Sequence, residues 1–161
     1  MKIAFFETED WEKEYLRKEI EGFETAFFLE HLGLDNVDLA KDCEVISVFA
    51  FSEVNKEVLA RLPNLRLVTT RATGFDNIDV QEAKKRGIVV CNVPVYGENT
   101  VAEHTFGLIL NLSRKIYQSI QSVKEKGFIP DGLRGFDLKG KNLGVVGVGH
   151  IGRHVARIAQ G

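Results

Sequence analysis

The 161-residue sequence predicts an α/β fold: a doubly wound parallel sheet that runs on into a glycine-rich strand-to-helix turn. Three observations carry that prediction. Short apolar runs alternate with amphipathic stretches in units of about 20 residues, the rhythm of parallel strands joined by crossover helices. Val145-Val146-Gly147-Val148-Gly149-His150-Ile151-Gly152 sets an apolar run before G-x-G-x-x-G, and Ile151, Val155, Ile158 and Ala159 follow at helical spacing. The composition is 44% apolar and 27% charged, in the range of globular proteins and not of disordered ones.

The elements follow in order. Lys2 to Phe6 is an apolar run suited to a first strand. Trp11 to Ile20 sets Trp11, Tyr15, Leu16 and Ile20 among charges, which predicts an amphipathic helix. Phe23 to Leu29 is a second strand, with Glu24 and Glu30 in solvent, and Val45 to Phe51 is a buried third. Asn55 to Leu62 reads as a short helix closed by Pro63, and Leu65 to Thr69 as the fourth strand. Asp79 to Arg86 is a further helix with Asp79 and Glu82 as an N-terminal cap pair and Gly87 as its stop; Ile88 to Cys91 is the fifth strand.

The pattern then lengthens. Thr100 to about Lys126 keeps helical periodicity throughout, with Thr100-Val101-Ala102-Glu103 as a capping box and Gly127 as the stop. Val101 to Leu112 is apolar nearly all round and is expected to be buried. Ile109, Leu112, Ile116, Ile120 and Val123 then form a stripe. Phe128 to Lys141 is loop-like, and Leu143 to Val148 is expected to be a buried strand.

Composition excludes several classes. A net charge of −2 with scattered Lys and Arg leaves no nucleic-acid footprint. No apolar run spans a bilayer, and the N-terminus shows no cleavage signal, so a cytoplasmic location is expected. Cys43 and Cys91 have no metal-binding or redox spacing; free thiols in a reducing compartment are expected, and no metal site.

In open parallel sheets, ligands sit beyond the carboxyl ends of the strands. The loops after Phe51, Thr69 and Cys91 should therefore open onto one edge. Arg71-Ala72-Thr73-Gly74-Phe75-Asp76-Asn77-Ile78-Asp79 lies there, and it reads either as an anion-binding nest of backbone amides or as a plain turn into a capped helix. Tyr96 offers a hydroxyl on the same edge. In the glycine turn, Gly147 permits the bend, Gly149 leaves room for a pyrophosphate, and Gly152 allows close helix packing. His31 and His154 are expected at the surface and His104 in a structural role; no histidine has a catalytic partner at suggestive spacing.

The chain resembles the D-isomer-specific 2-hydroxyacid dehydrogenase family, and within it the D-lactate dehydrogenase branch. The blocks that carry the likeness are Arg71 to Asp79, Asn92 to Tyr96 with Val101-Ala102-Glu103-His104, and Leu143 to Gly152. The resemblance implies a flavodoxin-like substrate domain, here residues 1–98, and the start of a Rossmann NAD-binding domain, here a linking helix and first βα unit at 99–161. It implies that Thr73 and Gly74 offer amides to a substrate carboxylate, that Tyr96 reaches the substrate, and that Phe51 is an aromatic wall beside it. Gly147, Gly149, His150, Ile151 and Gly152 would meet the NAD pyrophosphate, and the helix over 100–126 would build a homodimer contact. The family's catalytic arginine, glutamate and histidine match no position in this chain, so no catalytic residue is assigned, and the sequence reads as the N-terminal half of a longer protein, inactive alone. Phosphoglycerate or glyoxylate/hydroxypyruvate reduction stands as a sibling activity, and a non-catalytic dinucleotide-sensing or dimerisation module as a different class.

Overall fold

The structure is a computed structural model, and it describes residues 1–127 and 129–160. It divides into two compact units, Met1–Tyr96 and Gly97–Gly161. Phe128, expected in a loop, and Gly161 lie outside the described residues.

The first unit runs β1 (Lys2–Phe5), α1 (Asp10–Glu19), β2 (Glu24–Phe27), a 3-10 turn (Val37–Ala40), β3 (Val45–Val48), α2 (Lys56–Ala60), β4 (Leu67–Thr70), α3 (Val80–Lys85) and β5 (Val89–Cys91). The five strands pair in parallel in the order β2-β1-β3-β4-β5. Side chains alternate across a strand, so register assigns each residue to a face. Ala4 pairs with Ile46, and Ile46 with Val68. That row is fully buried, and its core takes in Val58 and Leu59 of α2, Ala83 of α3, and Val37 and Ala40 of the 3-10 turn. Each Val, Leu or Ile side chain among them contributes about 1.5–3 kcal/mol on burial. The opposite row packs Ile3, Phe5 and Val45 under Leu16 of α1 and Ile20 at its C-terminal cap, with Phe5 and Phe27 stacked at 5.0 Å. At the β5 edge of this face Val89 stays 57% exposed.

Local chemistry sets the boundaries. The Asn55 side chain accepts from the Val58 amide and starts α2; the Asp79 side chain accepts from the Glu82 amide and starts α3. Gly87, at φ 72°, ends α3 in a conformation that costs a glycine little. Two expectations need correction. β3 ends at Val48 and not at Phe51, because the amides of Phe49, Phe51 and Ser52 turn to the Glu7 carboxylate and leave the ladder. Of the expected helix face, Leu16 and the capping Ile20 pack, whereas Trp11 and Tyr15 are exposed; Trp11 Nε1 donates to Glu9 instead.

The second unit holds α4 (Glu98–Ser113), α5 (Ile116–Lys126) and α6 (His150–Gln160). The expected single helix over 100–126 is broken at Arg114 and Lys115, and Lys115 is left-handed at φ 52°. The returning loop rewards the break. The Ser113 carbonyl, freed by the break, accepts from the Phe136 amide, Lys115 Nζ reaches the Gly132 carbonyl, and Arg114 pairs with Asp137 at 2.6 Å. Asn111 Oδ1 accepts from the Tyr117 amide at the start of α5.

The helix starts two residues before Thr100, on Gly97, and Glu103 bonds Asn99, so the expected capping box does not form. Burial also differs from expectation. In α4 only Ala102 and Ser113 are buried, while Val101, Leu108 and Leu112 are exposed. Leu143 to Val148 forms no strand, and Val146 is fully exposed. A strand exists only as one side of a ladder, and the second unit has no other strand among the described residues. The loop character of 129–141 is as expected.

Candidate functional site

The parallel sheet puts the loops after β3, β4 and β5 at one edge, beyond the carboxyl ends of the strands. Strand order reverses between β1 and β3, the place where such sheets usually leave a ligand crevice. Here the Arg71 side chain bridges the ends of the two strands. Arg71 donates to the carbonyls of Phe6, Glu7 and Ser47, lies 3.5 Å from the Glu12 carboxylate, and stacks 5.8 Å from the Phe49 ring. Burial pulls the Arg71 guanidinium pKa below its ordinary value, and the charges of Glu12 and Glu7 oppose that shift. Arg71 is thus structural in this unit.

The neighbouring loops are laced together. Thr73 Oγ1 donates to the Val93 carbonyl, Asn92 Nδ2 donates to the Thr73 carbonyl, and the Val93 amide donates to the Ala72 carbonyl. Asn77 Nδ2 bridges the carbonyls of Phe49 and Ser52, which ties the loop after β4 to the loop after β3. Within this frame the amides of Thr73 and Gly74 are exposed and donate to no acceptor among the described residues. Gly74 is not left-handed, so the amides are presented without the left-handed glycine of a nest. Phe51 is 77% exposed and Tyr96 62% exposed. The four residues singled out for substrate, Phe51, Thr73, Gly74 and Tyr96, therefore all sit on this edge of the first unit.

The residues singled out for a dinucleotide lie in the second unit. Gly147 takes φ 95°, which makes the tight turn. A Cβ at Gly152 would strike the Gly147 carbonyl, so helix and turn approach as closely as the spacing suggests. A Cβ at Gly149 would meet open space. The amides of His150, Ile151 and Gly152 at the start of α6 donate to no acceptor among the described residues, and the positive end of the helix dipole points the same way. Open space, free amides and helix polarity fit a pyrophosphate group. The His150 ring leans away, with Nδ1 3.9 Å from Glu98. His31 and His104 are exposed, and His154 is half-buried. Among the described residues no cluster of His, Cys, Asp and Glu could hold a metal ion, and no helix is long and apolar enough to cross a membrane.

Sequence reasoning missed one residue. Glu7 holds the loop after β3 through four hydrogen bonds, across 42 to 45 residues of chain. Its only local signal is an acidic residue at the end of an apolar strand.

Fold and site together define an α/β protein of flavodoxin-type strand order that runs on into a dinucleotide-type glycine turn. Residues 3–152 match the family model of the D-isomer specific 2-hydroxyacid dehydrogenase catalytic domain, and the chain belongs to that family. It is 38% identical over its whole length to a 2-hydroxyacid dehydrogenase homolog of Haemophilus influenzae, and 35% identical to the D-lactate dehydrogenase of Escherichia coli; in each case it covers 50% of the relative. The solved D-lactate dehydrogenase of Aquifex aeolicus, in complex with NAD and lactic acid, superposes with a TM-score of 0.89 at 31% identity, over 98% of this chain and 48% of that one. The chain thus spans about half the length of the relatives it matches.

Proposed function

We propose that this chain forms the N-terminal half of an NAD-dependent dehydrogenase that interconverts a D-2-hydroxy acid and a 2-oxo acid of the D-lactate/pyruvate type. The carrying observation is the unpaired amide pair of Thr73 and Gly74 at the carboxyl edge of the sheet, in a chain of this family. In this reading Met1–Tyr96 is the substrate domain. The Thr73 and Gly74 amides bind the substrate carboxylate, the Tyr96 hydroxyl reaches its oxygen, and the Phe51 ring packs beside its side chain. In the second unit, Gly147 and Gly149 shape the turn that admits the pyrophosphate of NAD, Gly152 keeps helix and turn close, and the amides of His150 and Ile151 bind the pyrophosphate. The bound cofactor supplies a hydride acceptor or donor.

The acid/base group and the arginine that complete the reaction belong to the remainder of the protein, so the 161-residue chain alone is inactive. A positioned acid/base typically contributes 10²–10⁴-fold, and orienting the reactants contributes more. The exposed apolar residues Leu112, Ile116, Tyr117, Ile120 and Val123 are read as a homodimer face. The two free thiols suit a reducing cytoplasm.

The test sets this chain beside the full-length protein. NADH binding is followed by fluorescence, and NADH oxidation with pyruvate, glyoxylate, hydroxypyruvate and 3-phosphohydroxypyruvate by absorbance. Pyruvate turnover by the full-length protein and none by this chain is the expected result. Preference for another acid moves the protein to a sibling activity. NADH binding without turnover of any 2-oxo acid replaces the dehydrogenase with a sensor. Turnover by the chain alone overturns the placement of the acid/base group.

A further inference from the structure

Glu7 lies two residues after β1 and, with Lys115, is one of two non-glycine residues with a left-handed backbone among the described residues, at φ 55°. That region disfavours any residue with a Cβ, and where it persists the surroundings must enforce it. They do so through its carboxylate. Oε1 accepts from the Phe51 amide at 2.7 Å. Oε2 accepts from the amides of Phe49 and Ser52, both at 3.0 Å, and from the Ser52 hydroxyl at 2.5 Å. Asn77 holds the same segment from the other side, its Nδ2 donating to the carbonyls of Phe49 at 2.9 Å and Ser52 at 2.8 Å. Ser52 Oγ also accepts from the Leu32 amide. Arg71 donates to the Glu7 carbonyl and so fixes the backbone that aims the carboxylate.

The loop over 49–52 is therefore pinned by its donors to one side chain and by its acceptors to another. Phe51, in the middle, has an anchored amide and a 77% exposed ring. A large apolar ring held out in water on an immobilised backbone is preorganised to pack against a ligand, since the ordering entropy is already spent.

We propose that Glu7 and Asn77 are positioning residues that hold Phe51 as a rigid wall, and that the wall sets the side-chain size of the 2-oxo acid accepted; this rests on the dehydrogenase reading above. Burial alone would push the Glu7 carboxyl up, but the hydrogen bonds from Ser52, Phe51 and Phe49 outweigh it and hold the group below its ordinary range. The clamp is consequently charged at neutral pH.

The experiment has two arms. In this chain, amide hydrogen exchange at Phe51 and Ser52 is compared for wild type, Glu7→Gln, Glu7→Gly and Asn77→Ala, with circular dichroism to check that each folds. In the full-length protein, kcat/KM is measured for pyruvate and for 4-methyl-2-oxopentanoate. Each variant is expected to raise exchange at both amides at least tenfold, and to lower the pyruvate preference about tenfold, within the range that one pocket contact controls. Exchange at the wild-type rate in Glu7→Gly would assign Glu7 to turn geometry alone and overturn the proposal, because glycine suits the backbone but lacks the carboxylate. Faster exchange with unchanged substrate preference would overturn the specificity role. A wild-type protein that reduces no 2-oxo acid overturns the dehydrogenase reading and the specificity role with it, whereas the exchange arm still separates a clamped loop from a free one.

Discussion

The two units meet the same demand, the burial of apolar residues, with unequal success. In Met1–Tyr96 each strand finds a parallel neighbour, and Ala4, Ile46, Val48 and Val68 are fully buried. In Gly97–Gly161 the apolar run Leu143 to Val148 has no ladder partner; it forms no strand, and Leu143, Val146 and Val148 stay exposed. The helix that follows it forms regardless. A helix closes its hydrogen bonds within itself, and the glycine turn is decided by a few adjacent dihedrals, whereas a strand depends on residues far away. The second unit thus retains local structure without the burial that locks it.

The sharpest way to break the contrast is a matched pair of truncations. Ile46→Ala empties part of the sheet core and should destabilise the first unit by about 2–5 kcal/mol in denaturant unfolding. Val146→Ala touches an exposed position and should change stability by less than about 0.5 kcal/mol. Equal losses would mean that residues 143–148 are packed after all.

Next in size is Gly152→Ala, whose Cβ would meet the Gly147 carbonyl. It should cost about 1–3 kcal/mol in the second unit, read as loss of α6 helicity by NMR shifts, with the β-sheet resonances unmoved. Asp79→Ala removes the cap of α3 and should cost the first unit about 1 kcal/mol, in thermal or denaturant melts.

The smallest effect is the pH response. The Glu7 carboxyl is held below its ordinary value of 4.5, so its contribution is complete above that pH and is lost as pH falls through the folded-state value. The melting temperature of wild type should therefore drop below pH 4.5 more steeply than that of Glu7→Gln. Parallel curves would remove Glu7 from the acid response.

The contrast also explains what could be read in advance. Strand positions in the first unit follow from apolar runs, and the ends of α3 from Asp79 and Gly87, because each signal lies within a few residues of its effect. The glycine turn was legible for the same reason, down to the close approach at Gly152. The clamp at Glu7 was not, since its partners lie 42 to 45 residues away and no local pattern marks them. Nor was the break at Lys115, which depends on a loop returning from Gly132 to Asp137. Burial of 101–112 was overstated because an apolar sequence shows what could be covered, not whether a covering partner is at hand.

Strand order has a consequence in time. Every strand of the sheet comes from residues 2–91, and every pairing but that of β1 with β3 joins strands that leave the ribosome one after another. At about 5–20 residues per second, a nascent chain has seconds between the emergence of β5 and that of α6. The sheet edge that carries Phe51, Thr73 and Tyr96 can therefore take shape while the glycine turn is still being translated. During synthesis the first unit precedes the second.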